Sequence, residues 1–108
     1  MGNSQKKNNG TDICGSLFLT NPVGYIIGYS VDNITFHESH FDITGKKYQE
    51  TVQFQQITKI DIEQSASSGG RIIKIYYIAT QHTAMFEFVC PNKETLNQIK
   101  LMKFDSKV

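Results

Sequence analysis

Tryptophan is absent from this chain, and proline and cysteine occur only twice each. With two prolines, Pro22 and Pro91, long stretches run free of the residue that most often interrupts a strand or helix. Cys14 and Cys90 lie far apart and form no close-spaced metal pair. They read as two reduced thiols, with a disulfide between them as the alternative, because no secretion signal precedes them. The N-terminal lysines are not followed by an apolar core, so the start is not a secretory leader. No apolar run approaches the roughly 18 residues that would cross a bilayer as a helix. Charge of one sign is also missing. Eleven basic and ten acidic residues leave a formal +1, which argues against nucleic acid as the main partner.

What remains is 108 residues, enough for one domain with one modest core. Residues 1 to 12 are rich in Asn, Gln and Lys without apolar periodicity, and read as a disordered tail. Order is expected from about Ile13, in a single domain over 13–108. "GSLFLT" ends at the turn dipeptide Asn21-Pro22. "YIIGYS" follows, with Gly28 in its middle as the mark of a bulge or a close backbone approach. "VDN" reads as a turn. "ITFHESHFDIT" alternates, with a break around His37–His40, and Gly45-Lys46-Lys47 marks another turn. In "TVQFQQITKIDIEQ", Val52 and Phe54, then Ile60 and Ile62, carry the period of two of half-buried strands. "RIIKIYYIAT" and "TAMFEFVC" are rich in β-branched and aromatic residues and read as a hairpin. Of Tyr76 and Tyr77, one is expected in the core and one outside. After Pro91 the period changes. Asn92 is a suitable N-cap, Glu94 complements the first turn, and Leu96, Ile99 and Met102 recur at helical spacing.

Six or seven strands and one closing helix fit a mainly β fold: a bent antiparallel sheet or small barrel capped by the C-terminal helix. Over residues 15 to 104 this order resembles a pleckstrin-homology (PH) or GRAM-type domain. The matching positions are Phe54, Ile57 and Ile60 in one strand, the Phe86-x-Phe88 pair, and Leu96 and Ile99 in the helix. The chain departs from that family in having no helix tryptophan. It also has no basic residue in "FLTNPVGYIIG", where the phosphoinositide signature of the family would stand. The resemblance therefore implies the fold rather than the usual headgroup site. A polo-box-like domain shares the strands-then-helix order. Lipocalin-like and profilin-like layouts fit less well.

No phosphate loop, nucleophile triad or paired-carboxylate context occurs, so the sequence reads as non-catalytic and without a cofactor. Ser67-Ser68-Gly69-Gly70 lacks the Lys-Ser/Thr of a phosphate loop. His37 and His40, three apart, would fall on opposite faces of a single strand, and with His82 are expected in surface or turn roles rather than as metal ligands. Two functional readings follow. In the first, an intracellular membrane-associated adaptor presents Lys46, Lys47, Arg71 and Lys74 to anionic lipid. The tail of that protein adds Lys6 and Lys7 and a candidate myristoyl acceptor at Gly2. Position six is Lys6 where the acylation motif has Ser or Thr, and one acyl chain alone anchors weakly, with Cys14 a candidate second acyl site. In the second, the same scaffold binds a protein partner along a strand edge.

Overall fold

The computed structural model describes residues 10–64 and 70–102. Seven strands form one antiparallel sheet in the order β4-β3-β2-β1-β7-β6-β5. They are β1 (Thr11–Thr20), β2 (Ile26–Phe36), β3 (His40–Thr44), β4 (Gln49–Gln53), β5 (Ile57–Gln64), β6 (Arg71–Ala79) and β7 (His82–Cys90). The helix α1 (Lys93–Leu101) follows. The sheet curls into a half-barrel, an arrangement consistent with a PH-like fold and its helix cap.

Alternation decides which side of each strand turns inward. Leu17 and Leu19 of β1, Ile73, Ile75 and Tyr77 of β6, and Ala84, Phe86 and Phe88 of β7 are all buried. Their neighbours Phe18, Tyr76, Met85 and Glu87 face outward. Phe41, Ile43 and Val52 bring the other wing of the sheet into the same core. Phe86 lies between Phe88 and Phe41, with ring centroids at 4.9 and 6.2 Å, so aromatic packing joins the two wings. Tyr76 and Tyr77 divide as the alternation requires. Tyr77 is buried, and Tyr76 lies outside with Lys59 Nζ 5.2 Å from its ring centre.

Four expectations from the sequence are corrected. "VDN" is not a turn, because β2 runs unbroken through it and is paired on both sides. Val31 is buried there, and Asn33 donates to Asp12 across β1, so tertiary pairing overrides the local turn propensity. Gly28 marks no bulge. The register shift falls instead in β1, between Asp12 and Gly15, and Gly28 sits in the regular ladder opposite Phe18, where a Cβ would meet that ring only at 3.4 Å. Phe54, which the resemblance places in one strand with Ile57 and Ile60, lies instead in a 3₁₀ turn at Phe54–Gln56 between β4 and β5. Gln53 N–H donates to Gln56 Oε1 at 2.8 Å, and Gln56 Nε2 donates to Ile78 O at 2.8 Å. Side-chain amides thus hold a corner that hydrophobic alternation does not reveal. Finally, β1 begins at Thr11, two residues before Ile13 and within the span read from sequence as tail.

The helix is the one the period change indicates. Asn92 is extended at the N-cap, and its Oδ1 accepts from Thr95 N–H at 2.8 Å. Ile99 and Met102 are buried, and so is Thr95. Asn92→Ala is expected to cost about 1 kcal/mol in urea unfolding, because one helix donor loses its partner. Both cysteines are free thiols.

Candidate functional site

The β1–β2 connection is a three-residue loop, Pro22–Gly24, built around Asn21. Its backbone N–H donates to Tyr25 O at 3.0 Å, and Gly24 N–H donates to Asn21 O at 2.9 Å. Asn21 Oδ1 accepts from the N–H groups of Val23, Gly24 and Tyr25, each at 3.0 Å. Gly24 closes the loop at φ 102°, in the left-handed region that glycine enters without a steric penalty. The result is a fixed tip with apolar side chains turned out. Val23 is 81% exposed, Tyr25 70% and Ile26 66%.

The neighbouring β6–β7 hairpin ends beside it. Ile26 pairs with Thr20, Thr20 with Thr83, and Thr83 with Ile78, so Ile26 and Ile78 lie in one outward row. Ile78 is 55% exposed. Behind that row, Phe18, Tyr76 and Met85 line a cleft of about 810 Å³. Among the described lining residues Glu87 is the one charged group.

Further along β2 the chemistry changes. Gly45 N–H donates to Tyr48 O at 2.8 Å, which makes Lys46 and Lys47 a two-residue loop between β3 and β4. A Cβ on Gly45 would collide with Ser30 O, so this turn lies against the β2 backbone only because residue 45 is glycine. Both lysines are exposed and share a cleft of about 490 Å³ with Tyr29, Ser30 and Asp32. Beside them the Tyr29 and Tyr48 rings stack at 4.4 Å. Tyr48 Oη donates to Glu50 at 2.8 Å, and Tyr77 Oη donates to the other carboxylate oxygen at 3.4 Å. Burial raises both phenols well above the ordinary tyrosine range, helped at Tyr48 next by the hydrogen bond to Glu50 and at Tyr77 next by the Glu50 charge.

The basic residues named from sequence are not gathered in one place. Lys46 and Lys47 flank β2, whereas Arg71 and Lys74 stand on β6, with β1 and β7 between. Arg71 is exposed at the strand start. Lys74 Nζ is 3.3 Å from Glu63 Oε2, and that hydrogen bond and charge raise its pKa. Gly2, Lys6 and Lys7 lie outside the described residues. The apolar tip was not singled out in the sequence, although a signal was present. Tyr25-Ile26-Ile27 puts three large apolar residues in succession beside a turn, and a strand buried on one face cannot hide all three.

His37 and His40 are also placed differently from expectation. They face each other across a two-residue loop, not along one strand, and their rings stack at 4.4 Å. No family pattern, curated protein or solved structure matches this chain. Among the described residues no helix is long and apolar enough to cross a membrane.

Proposed function

We propose that this chain is a non-catalytic, membrane-associated targeting module of PH-like fold that binds anionic lipid surfaces at the cytoplasmic face of a membrane. The observation that carries the reading is the division of β2. Its first residues present the exposed apolar tip, and Ser30 and Asp32 reach the Lys46–Lys47 cleft. Ile26 and Ser30 are four residues apart, roughly 13 Å along a strand. A tip entering the interface by about 5–10 Å leaves the two lysines at headgroup level. Burying an Ile-sized side chain contributes up to about 1.5–3 kcal/mol, and each lysine about 1 kcal/mol at an anionic surface. These terms sum to reversible binding, of the order given by a single acyl chain. Myristoylation at Gly2 would supply the second signal that stable attachment requires.

Vesicle flotation of the unacylated protein tests the reading. It should float with phosphatidylcholine vesicles containing phosphatidylserine, and less as salt rises. Joint Lys46→Glu and Lys47→Glu should weaken binding roughly 30-fold, from about 1 kcal/mol per lysine. Ile26→Asp should weaken it on the same vesicles, through the lost apolar insertion. Variants that float like the parent would defeat the proposal.

A second reading has its own support. The strand order leaves β4 and β5 at the two ends of the sheet, and an end strand can take a peptide by backbone hydrogen bonding. It predicts no flotation by the parent and a partner that competes for one of those edges.

A further inference from the structure

The β2–β3 turn gathers two imidazoles and a carboxylate on one side of a hairpin. His37 N–H donates to His40 O at 2.8 Å, so Glu38 and Ser39 alone form the loop. Across such a loop the flanking residues are a cross-strand pair and their side chains share a face. Asp42, two residues beyond His40, faces the same way. One ligand atom from each of His37, His40 and Asp42 lies within 4.8 Å of the others, and His37 Nε2 is 3.0 Å from Asp42 Oδ2.

We propose that this cluster is a binding site for one divalent transition cation, Zn²⁺ foremost, with His37, His40 and Asp42 as ligands and water completing the shell. Two imidazole nitrogens and one carboxylate oxygen form a donor set that suits zinc, whereas calcium and magnesium favour oxygen-rich shells. With zinc bonds of about 2.0–2.1 Å in a tetrahedron, neighbouring donors stand roughly 3.3 Å apart. Donor atoms that lie within 4.8 Å of one another would have to close by up to about 1.5 Å, a distance on the scale of side-chain rotation. Their surroundings are already ordered for the task. Thr51 Oγ1, opposite Asp42 on β4, donates to Asp42 Oδ1 at 2.6 Å and leaves Oδ2 toward the imidazoles. Ser39 Oγ is 3.3 Å from His40 Nδ1 and restrains that ring. Hydrogen bonds of this outer layer orient ligands and tune affinity. The side chains of His37 and Asp42 are partly exposed, which gives an ion and its waters a way in. The turn lies at the opposite end of β2 from the apolar tip, so the inference does not rest on membrane binding.

Calorimetric titration of the untagged full chain with zinc chloride tests it. One saturable site per chain is expected. His37→Gln, His40→Gln and Asp42→Asn should each weaken it at least about tenfold, and Thr51→Val about tenfold with the stoichiometry kept. His82→Gln and Cys14→Ser should leave it unchanged. Zinc should also shift the ring-proton resonances of His37 and His40 and not those of His82, a readout on the parent that needs no variant to fold. No saturable binding, binding retained when both His37 and His40 are replaced, or a shift at His82 in their place would overturn the assignment.

Discussion

Phe86→Ala is expected to destabilise the fold by about 4 kcal/mol, measured by urea unfolding. Three observations set the size. Phe86 is fully buried. On β7 it is flanked by Leu17 of β1 and Ile75 of β6, both also fully buried. Its ring meets Phe88 from its own strand and Phe41 from β3, across the fold of the sheet. Truncation therefore removes a large apolar surface from the core and opens a cavity where the two wings meet, and strands tied by backbone ladders cannot collapse to fill it. Met85→Ala serves as the control. Met85 stands next along the same strand with its side chain on the outer face, and should cost less than about 1 kcal/mol. Equal losses from the two variants would show that the faces of β7 are wrongly assigned.

A second large effect is expected in alkali. Tyr77 is buried with its hydroxyl toward Glu50, and burial first, then the carboxylate charge, hold its pKa far above the ordinary value of 10.0. Below about pH 10 folded and unfolded chains both keep the phenolic proton, and stability does not depend on it. Above that, the unfolded chain releases the proton while the folded chain retains it. The native state then binds more protons, so stability falls as pH rises, by up to about 1.4 kcal/mol per pH unit from Tyr77. Tyr48 shifts the same way, for burial and its hydrogen bond to Glu50, but it is more open to solvent and should add less. Lys74 also favours its proton in the folded state, through Glu63, and so acts in the same direction. Tyr77→Phe separates the contributions. Unfolding free energies from pH 9 to 12 should fall less steeply in that variant than in the parent. Identical slopes would mean that Tyr77 ionises in the folded protein as freely as in the unfolded one.

Legibility in the sequence followed where one physical signal dominated. The β6–β7 hairpin could be read because Ile73, Ile75, Tyr77, Phe86 and Phe88 alternate with outward residues without a break. The helix could be read because Pro91 and Asn92 mark its start and the apolar spacing changes there. The first half was harder. Asp32-Asn33 carries turn chemistry, yet pairing on both sides keeps it extended, and pairing of distant strands is not a local property. The 3₁₀ corner depends on the two amide contacts of Gln56, one of them to Ile78 in a strand far along the chain. Among site residues, the lysine loop could be located as a turn, but not its closeness to β2, which Gly45 permits. Spacing of three puts the histidine pair on opposite faces only within one strand, and the two-residue loop between them sets the geometry instead. Asp42 could have been added to the pair once that loop was recognised, because it follows His40 by one strand period.

Three of the hairpins close over only two residues: Glu38-Ser39, Lys46-Lys47 and Thr80-Gln81. In these places length and identity carry different burdens. Adding or deleting one residue would slip a strand by one position and turn its core side chains to water, whereas exchanging a loop residue leaves the ladder in register. Lineages of such a chain would therefore keep the spacing of these connections while the side chains they display drift. The sheet would act as a fixed ruler, and changes of ligand would be written at its tips without refolding the frame between them.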